Sequence, residues 1–197
     1  MWWSIPMAFA EDPSGWADPA VQARLREMGE LDQAVQFDAV VNPVDEDHDR
    51  RKDEVFDRQA VELDAMVEAY GWPVPHVVPD DLCEAAFLLV QHADRAPELQ
   101  VRNLARMRAV AEPDRALSHH VAFLTDRVEV NAGRPQVYGT QFWAPQGASE
   151  PWPIADPEGV DARRAEVGLP PLAKEIRRHH RFERRMFRRL MRSDEGS

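Results

Sequence analysis

A glutamine and a histidine, Gln91 and His92, directly follow a run of large apolar residues. Such a run predicts a helix that is buried on all sides, and it carries these two polar side chains into the interior. A buried polar group without a partner costs roughly 1–3 kcal/mol, so the pair requires an explanation. Because imidazole exchanges a proton near neutral pH, His92 is a candidate general acid or base, with Gln91 as a substrate contact. The alternative is a core histidine that bonds a backbone carbonyl.

A second polar pair, Asp126 and Arg127, interrupts another apolar helical stretch. A partly buried carboxylate and guanidinium must pair with each other or bind something else. One interpretation is a structural ion pair. The other makes Arg127 the binding group for a substrate anion and gives Asp126 a catalytic role, in which it orients a histidine.

The segment from Gln136 to Trp143 is rich in aromatic and β-forming residues, which predicts a strand. On a strand, Gln136, Tyr138 and Thr140 point to one side and Gln141 to the other. We predict a catalytic role for Tyr138 and substrate-binding roles for Gln136, Thr140 and Gln141. One cavity is expected to bring together six of the candidate residues: His92, Asp126, Arg127, Gln136, Tyr138 and Gln141.

The sequence contains no phosphate-binding loop, dinucleotide fingerprint or nucleophile elbow, so we expect no cofactor. No metal is expected either, because HxxxH and HExxH spacings are absent; His92 and His120 with a carboxylate are the minor candidates. The single cysteine, Cys83, cannot form an intramolecular disulfide, and its apolar neighbours predict a small buried side chain.

Apolar residues recur at three- and four-residue steps, which predicts a mainly α protein of six to seven helices. The expected helices cover about 17–36, 54–70, 80–93, 97–112, 117–131, 156–168 and 170–191. One small β-hairpin, formed by the predicted strand and a partner near Pro151–Ile154, precedes the last two helices. Residues 42–53 are acidic and irregular, which indicates a loop.

Three helical details follow from the sequence. Asp18 before Pro19 is typical of an N-cap followed by proline at the first helical position, and Asp80 or Asp81 is expected to cap the third helix. Asp156 is expected to cap the short sixth helix, whose Arg163 and Arg164 are expected to be solvated unless one of them reaches inward. The first and last helices should bury apolar stripes, made of Val21, Leu25, Met28, Leu31 and Val35, and of Leu172, Ile176, His179, Phe182, Met186, Phe187 and Leu190.

The charge of −11 is unevenly distributed along the chain. Residues 174–197 carry nine Lys/Arg and four Asp/Glu, a net of +5, so the first 173 residues carry −16. An acidic body argues against nucleic acid as a partner. We therefore expect the basic last helix to dock on a protein surface, either of its own chain, against the acidic residues 45–53, or of a second subunit or another protein.

The chain is expected to contain a loose Trp-rich arm (1–16), a single helical domain (17–173) and a basic amphipathic C-terminal helix and tail (174–197). Its apolar opening lacks a basic start and is interrupted by Pro6, and no apolar stretch reaches the ~18 residues of a membrane span. We expect a cytoplasmic protein for which a membrane partner is disfavoured.

Several strings resemble the motifs of an uncharacterised bacterial family of unknown function. They are Gln91-His92-Ala93, Leu124-Thr125-Asp126-Arg127-Val128 and Gln136-Val137-Tyr138-Gly139-Thr140-Gln141-Phe142, with Asp32-Gln33, Gly71-Trp72-Pro73 and Val160-Asp161-Ala162-Arg163-Arg164 in the same order. The resemblance runs from about residue 25 to 178 and implies a helical fold with a small hairpin. It implies no activity.

Two functions are consistent with these residues. The first is a small cofactor-independent enzyme that acts on a polar, anionic small molecule or peptide, for example in peptide tailoring within a specialised biosynthetic pathway. His92 would then serve as general acid or base in a hydrolysis, elimination or isomerisation. The second is a non-catalytic module that binds a ligand or docks a partner.

Overall fold

The computed structural model describes residues 13–41, 46–111, 117–143 and 149–194. The chain divides into two compact units, Met1–Leu117 and Ser118–Ser197, and each is described by itself. The arm, domain and tail that the sequence indicates stay predictions, and residues 1–12 of the arm lie outside the described residues.

The fold is mainly α, as predicted. The first unit contains a 3₁₀ helix (Pro13–Ala17) and helices α1 (Pro19–Val41), α2 (Glu46–Tyr70), α3 (Asp80–Gln91) and α4 (Pro97–Ala111). The second contains α5 (Ser118–Asn131), strands β1 (Phe142–Trp143) and β2 (Glu150–Pro151), and helices α6 (Val160–Glu166) and α7 (Leu172–Asp194). The strands form an antiparallel hairpin that pairs Phe142 with Pro151 and Trp143 with Glu150, just before the last two helices.

Helix α3 forms the centre of the first unit and packs against α1, α2 and α4. Its apolar centre from Ala85 to Val90 is buried apart from the half-buried Leu88, as the sequence predicts, and Cys83 is buried as well. Close approach of α1 is possible because residue 29 is glycine: a Cβ there would lie 2.7 Å from the Cβ of Ala85. The predicted stripe of α1 is wrong at one position, because Leu31 is 40% exposed and its neighbour Asp32 is fully buried.

Two local predictions about the first unit are wrong, and one is confirmed. Asp18 accepts a hydrogen bond from the Ala20 amide at 2.8 Å, as an N-cap does. The N-cap of α3, however, is Pro79, without a side-chain cap bond. Residues 46–53 belong to α2 rather than to a loop, and pairs such as Arg50–Asp47 and Lys52–Asp49 stabilise this turn locally.

In the second unit, the predicted strand from Gln136 to Trp143 is shorter than expected. Only Phe142 and Trp143 form a strand, whereas Gln136 makes an isolated parallel bridge to Ile154. The intervening residues form a bent loop because their amides bond a buried carboxylate instead of a neighbouring strand.

Two further predictions fail in this unit. The N-cap of α6 is Gly159, and Asp156 instead binds the Gly159 amide and Arg163. In α7, Phe182 is 56% exposed rather than buried in an apolar stripe. Among the described residues, no helix is long and apolar enough to cross a membrane.

Candidate functional site

The imidazole of His92 is held by a buried carboxylate in the first unit. His92 is the C-cap residue of α3, and its Nδ1 lies 2.9 and 3.0 Å from the two carboxylate oxygens of Asp32 on α1. The Asp32 carboxylate is fully buried, whereas 13% of the His92 side chain remains exposed. The pair joins residues 60 positions apart in the sequence.

Two neighbouring side chains fix this Asp32–His92 pair. Phe56 of α2 stacks on the imidazole with ring centroids 5.0 Å apart and an interplanar angle of 30°. The side-chain amide of Gln33 donates a hydrogen bond of 2.8 Å to the second oxygen of Asp32. Helices α1 and α2 therefore each contribute a group that restricts the rotation of the His92 ring.

This geometry selects one tautomer of the neutral imidazole. An ionised carboxylate only accepts hydrogen bonds, so the proton of neutral His92 resides on Nδ1, facing Asp32. The lone pair is then on Nε2, which can take a proton from a substrate and return it. Asp32 also stabilises the imidazolium that forms, which is the role of the carboxylate in catalytic Asp–His pairs.

Gln91, the residue directly before His92, is also buried. Gln100 of α4 donates to the carbonyls of Val90 and Gln91 at 3.2 and 3.3 Å. These bonds satisfy the last carbonyls of α3 and hold the turn that carries His92. Helix α4 thus fixes the position of the backbone at the C-terminal end of α3.

A second buried carboxylate, Asp64 of α2, ties this helix to α4. It accepts hydrogen bonds from Arg102 at 2.5 Å, from Asn103 at 2.9 Å and from Arg106 at 2.8 Å. Burial by itself would raise the pKa of Asp64, but the hydrogen bonds from Arg102 and Asn103 and the two positive charges outweigh it and lower the pKa. All three donors lie on α4, so we interpret the cluster as structural.

The third buried carboxylate, Asp126 of α5, holds the loop that the sequence predicted as a strand. It accepts hydrogen bonds from the amides of Val137, Tyr138 and Thr140 at 2.7, 2.9 and 2.9 Å. The hydroxyl of Thr140 donates a fourth bond at 2.9 Å. The carboxylate that contacts His92 is Asp32. The predicted catalytic role of Asp126 stays a prediction, and its contacts support a positioning role.

The carbonyl side of the same loop is held by α6. Arg164, buried apart from 1% of its surface, donates to the carbonyls of Tyr138 at 2.7 Å and Gly139 at 3.2 Å, and Arg163 donates to Val137 at 3.0 Å. Gly139 has φ +71°, and a Cβ there would lie 3.0 Å from Ile154 and Leu172. Only glycine fits this position without strain.

The predicted glutamines pair within the same unit. Gln136 donates through Nε2 to the carbonyls of Gln141 and Trp152, and its Oε1 accepts from the Gln141 amide. Gln141 in turn accepts a bond of 3.2 Å from Arg127 and donates to Thr140. The structure thus brings five of the predicted residues together: Asp126, Arg127, Gln136, Thr140 and Gln141.

Tyr138 is, with Val137, one of the two half-buried residues of this loop. Its backbone is fixed on both sides, by Asp126 at the amide and by Arg164 at the carbonyl, while its ring is half-buried. At the start of α5, the rings of His119 and His120 lie 4.0 Å apart, and His120 is buried. His92 belongs to the first unit, so the predicted convergence with Tyr138, and the minor metal site with His120, stay predictions.

The sequence did not identify Asp32 as the partner of His92, and it did not decide which of Arg163 and Arg164 reaches inward. For Asp32, the signal lay in the α1 periodicity: Leu25, Met28 and Asp32 follow each other at three- and four-residue steps, so Asp32 shares the buried face. Arg163 and Arg164 are adjacent residues of the same type, yet only Arg164 is fully buried. The sequence therefore could not show which of the two is buried.

The chain belongs to a family of unknown function (DUF6624). The family match covers residues 19–182, which is most of the chain. No curated protein and no solved structure matches the sequence. Membership confirms the resemblance seen in the sequence, and Asp32, His92, Asp126 and Arg164 all lie within the matched range.

Proposed function

We propose that this protein is a small cofactor-independent enzyme in which His92 is the general acid and base and Asp32 is its positioning residue. The observation that supports this most is the contact of His92 Nδ1 with both oxygens of a fully buried Asp32. A buried carboxylate needs a partner, and here the partner is a titratable ring that keeps an exposed fraction. That arrangement serves proton transfer.

The reaction class follows from what the pair can do. His92 Nε2 removes a proton from a substrate carbon, hydroxyl or water and delivers it to the product, which covers isomerisation, elimination and hydrolysis. We propose a polar, anionic small molecule or peptide as the substrate. The catalytic role of Tyr138 and the substrate contacts of Gln91, Arg127, Gln136, Thr140 and Gln141 stay predictions. A role in peptide tailoring within a specialised biosynthetic pathway would suit such a substrate.

The test compares two histidine variants of the first unit. His92→Ala removes the proposed base, and His76→Ala removes an exposed histidine as the matched control. Each protein is incubated with a mixture of polar, anionic metabolites and short peptides, and mass spectrometry follows their consumption. The wild type and His76→Ala should consume the same compound, and His92→Ala should do so roughly 10²–10⁴ times more slowly.

Added imidazole distinguishes a chemical role from a structural one. His92→Ala leaves a gap beside Asp32 that free imidazole can enter, and partial recovery of the rate would show that the lost group transferred protons. Equal consumption by His92→Ala and the wild type would overturn the proposal. So would a large fall in melting temperature that accounts for the whole loss of activity.

The second candidate is a non-catalytic binding module. The observation that favours it is the extent to which the predicted polar residues of the second unit satisfy one another, as Gln136 and Gln141 do. Under this function, a compound of the mixture would be retained unchanged by the wild type and by His92→Ala alike.

A further inference from the structure

A groove rich in arginine runs along one face of α7. It has a volume of about 580 Å³ and is lined by Arg178, His179, Arg181, Phe182 and Arg185. Residues three and four apart share one side of a helix, so this spacing places the three guanidiniums beside the ring of Phe182.

The charge in this groove is largely uncompensated. Arg178 pairs with Glu175 at 3.0 Å, but Arg181 and Arg185 form no ion pair within the described part of the chain. The other acidic residue of this helical stretch, Glu183, binds the backbone amide of Ser149 at 2.8 Å instead. Positive charge therefore accumulates on the groove side of α7.

Aromatic surface accompanies the charge. Phe182 is 56% exposed, so its ring is accessible to a ligand in the groove. His179 stacks on Phe142 of β1 with centroids 3.8 Å apart and an interplanar angle of 15°. Burial lowers the pKa of His179, so its imidazole is neutral at neutral pH and acts as a flat ring.

We propose that this groove is a binding site for a small organic phosphate that carries a planar ring. The phosphoryl group offers three oxygens to the guanidiniums of Arg178, Arg181 and Arg185, and the arginine fork matches phosphate geometry. The ring of the ligand packs on Phe182 and His179. A carboxylate offers only two oxygens, and nucleic acid is disfavoured by the charge of −16 on the first 173 residues.

This site is independent of the proposed catalysis, because it lies on α7 and involves neither Asp32 nor His92. Titration calorimetry of the full chain with three probes tests it: phenyl phosphate, inorganic phosphate and phenol. Phenyl phosphate should bind roughly tenfold or more tightly than either fragment, because it alone engages both arginines and rings. The affinity should fall at about 0.15 M salt, but the order of the probes should remain.

Matched variants locate the binding. The double variant Arg181→Glu and Arg185→Glu should lose at least about tenfold in affinity for phenyl phosphate. The control double variant, Arg177→Glu and Arg184→Glu, makes the same charge change at exposed positions of α7 outside the groove lining. Phe182→Ala should weaken phenyl phosphate and leave inorganic phosphate unchanged.

Three results would overturn the proposal. One is equal weakening in both double variants, which would indicate general charge attraction. Another is binding of phenyl phosphate that is no tighter than binding of phosphate and phenol. The third is binding of a single-stranded oligonucleotide without measurable binding of phenyl phosphate, which would make the groove part of a nucleic-acid surface. Circular dichroism confirms that each variant retains its helices.

Discussion

Two buried aspartates, Asp32 in the first unit and Asp126 in the second, solve the same physical problem differently. Both have no exposed surface, so each carboxylate must find partners inside the protein. Asp126 finds three backbone amides and a hydroxyl, none of which titrates near neutral pH. Asp32 finds a side-chain amide and an imidazole.

The difference lies in what the partners can still do. The donors around Asp126 use their only protons to bind it, so these bonds fix a loop. The imidazole bound to Asp32 has a second nitrogen. The contact at Nδ1 orients the ring and leaves Nε2 as the proton acceptor. A buried carboxylate therefore indicates function by the kind of partner it has, rather than by its burial.

The largest effect should come from Asp126→Asn. Its side chain keeps the shape but turns one acceptor oxygen into a donor that faces backbone amides, and it removes the charge that strengthens the remaining bonds. We expect a loss of at least about 3 kcal/mol in the free energy of unfolding, measured by urea denaturation. Glu158→Gln, an exposed neutralisation in the same unit, serves as the control. If Asp126→Asn loses no more free energy of unfolding than this control, Asp126 does not have the structural role assigned to it.

Asp64 extends the comparison to a third buried carboxylate, whose partners include two arginines, and Asp64→Asn tests its charge. Because the pKa of Asp64 is lowered in the folded protein, its charge stabilises the fold above the unfolded pKa of about 3.9. This stabilisation disappears as the pH falls through the lower pKa of the folded state. At pH 7 the variant should be about 1–3 kcal/mol less stable than the wild type, and the difference should shrink in strong acid.

The measurement is the free energy of unfolding from pH 7 down to the acid limit of folding. Glu30→Gln, at an exposed position, is the control and should not change the pH dependence. A difference that stays constant across this range would show that the carboxylate of Asp64 is not the group involved.

The smallest effect on stability should come from Asp32→Asn, and its consequence should be electronic. The side-chain amide of the new residue can donate to Nδ1, which moves the proton of the neutral imidazole to Nε2 and removes the base from the free side of the ring. We expect about 1–2 kcal/mol of destabilisation. Nitrogen-15 spectra of His92 should show protonated Nδ1 in the wild type and protonated Nε2 in the variant.

The same tautomer in both proteins would mean that Asp32 does not control the ring. A destabilisation as large as that of Asp126→Asn would make Asp32 a structural residue as well. Either result would erase the distinction between the two aspartates.

The sequence determined the helices, because helical periodicity, capping residues and proline positions act over a few residues. The cap formed by Asp18 and the buried α3 follow from this local physics. The exposure of Leu31 and the burial of Asp32 differ by one position on the same helix, a rotation of 100° that an apolar count alone does not resolve.

The tertiary structure decided the partners. Asp32 and His92 are 60 residues apart, and Asp126 captures amides 11 to 14 residues along the chain, which turns an expected strand into a loop. A buried charge binds the donors that the packing of helices brings to it, and these donors carry no mark in the local sequence. Residue types therefore singled out His92 and Asp126 as candidate site residues, and only packing in three dimensions assigned a partner to each.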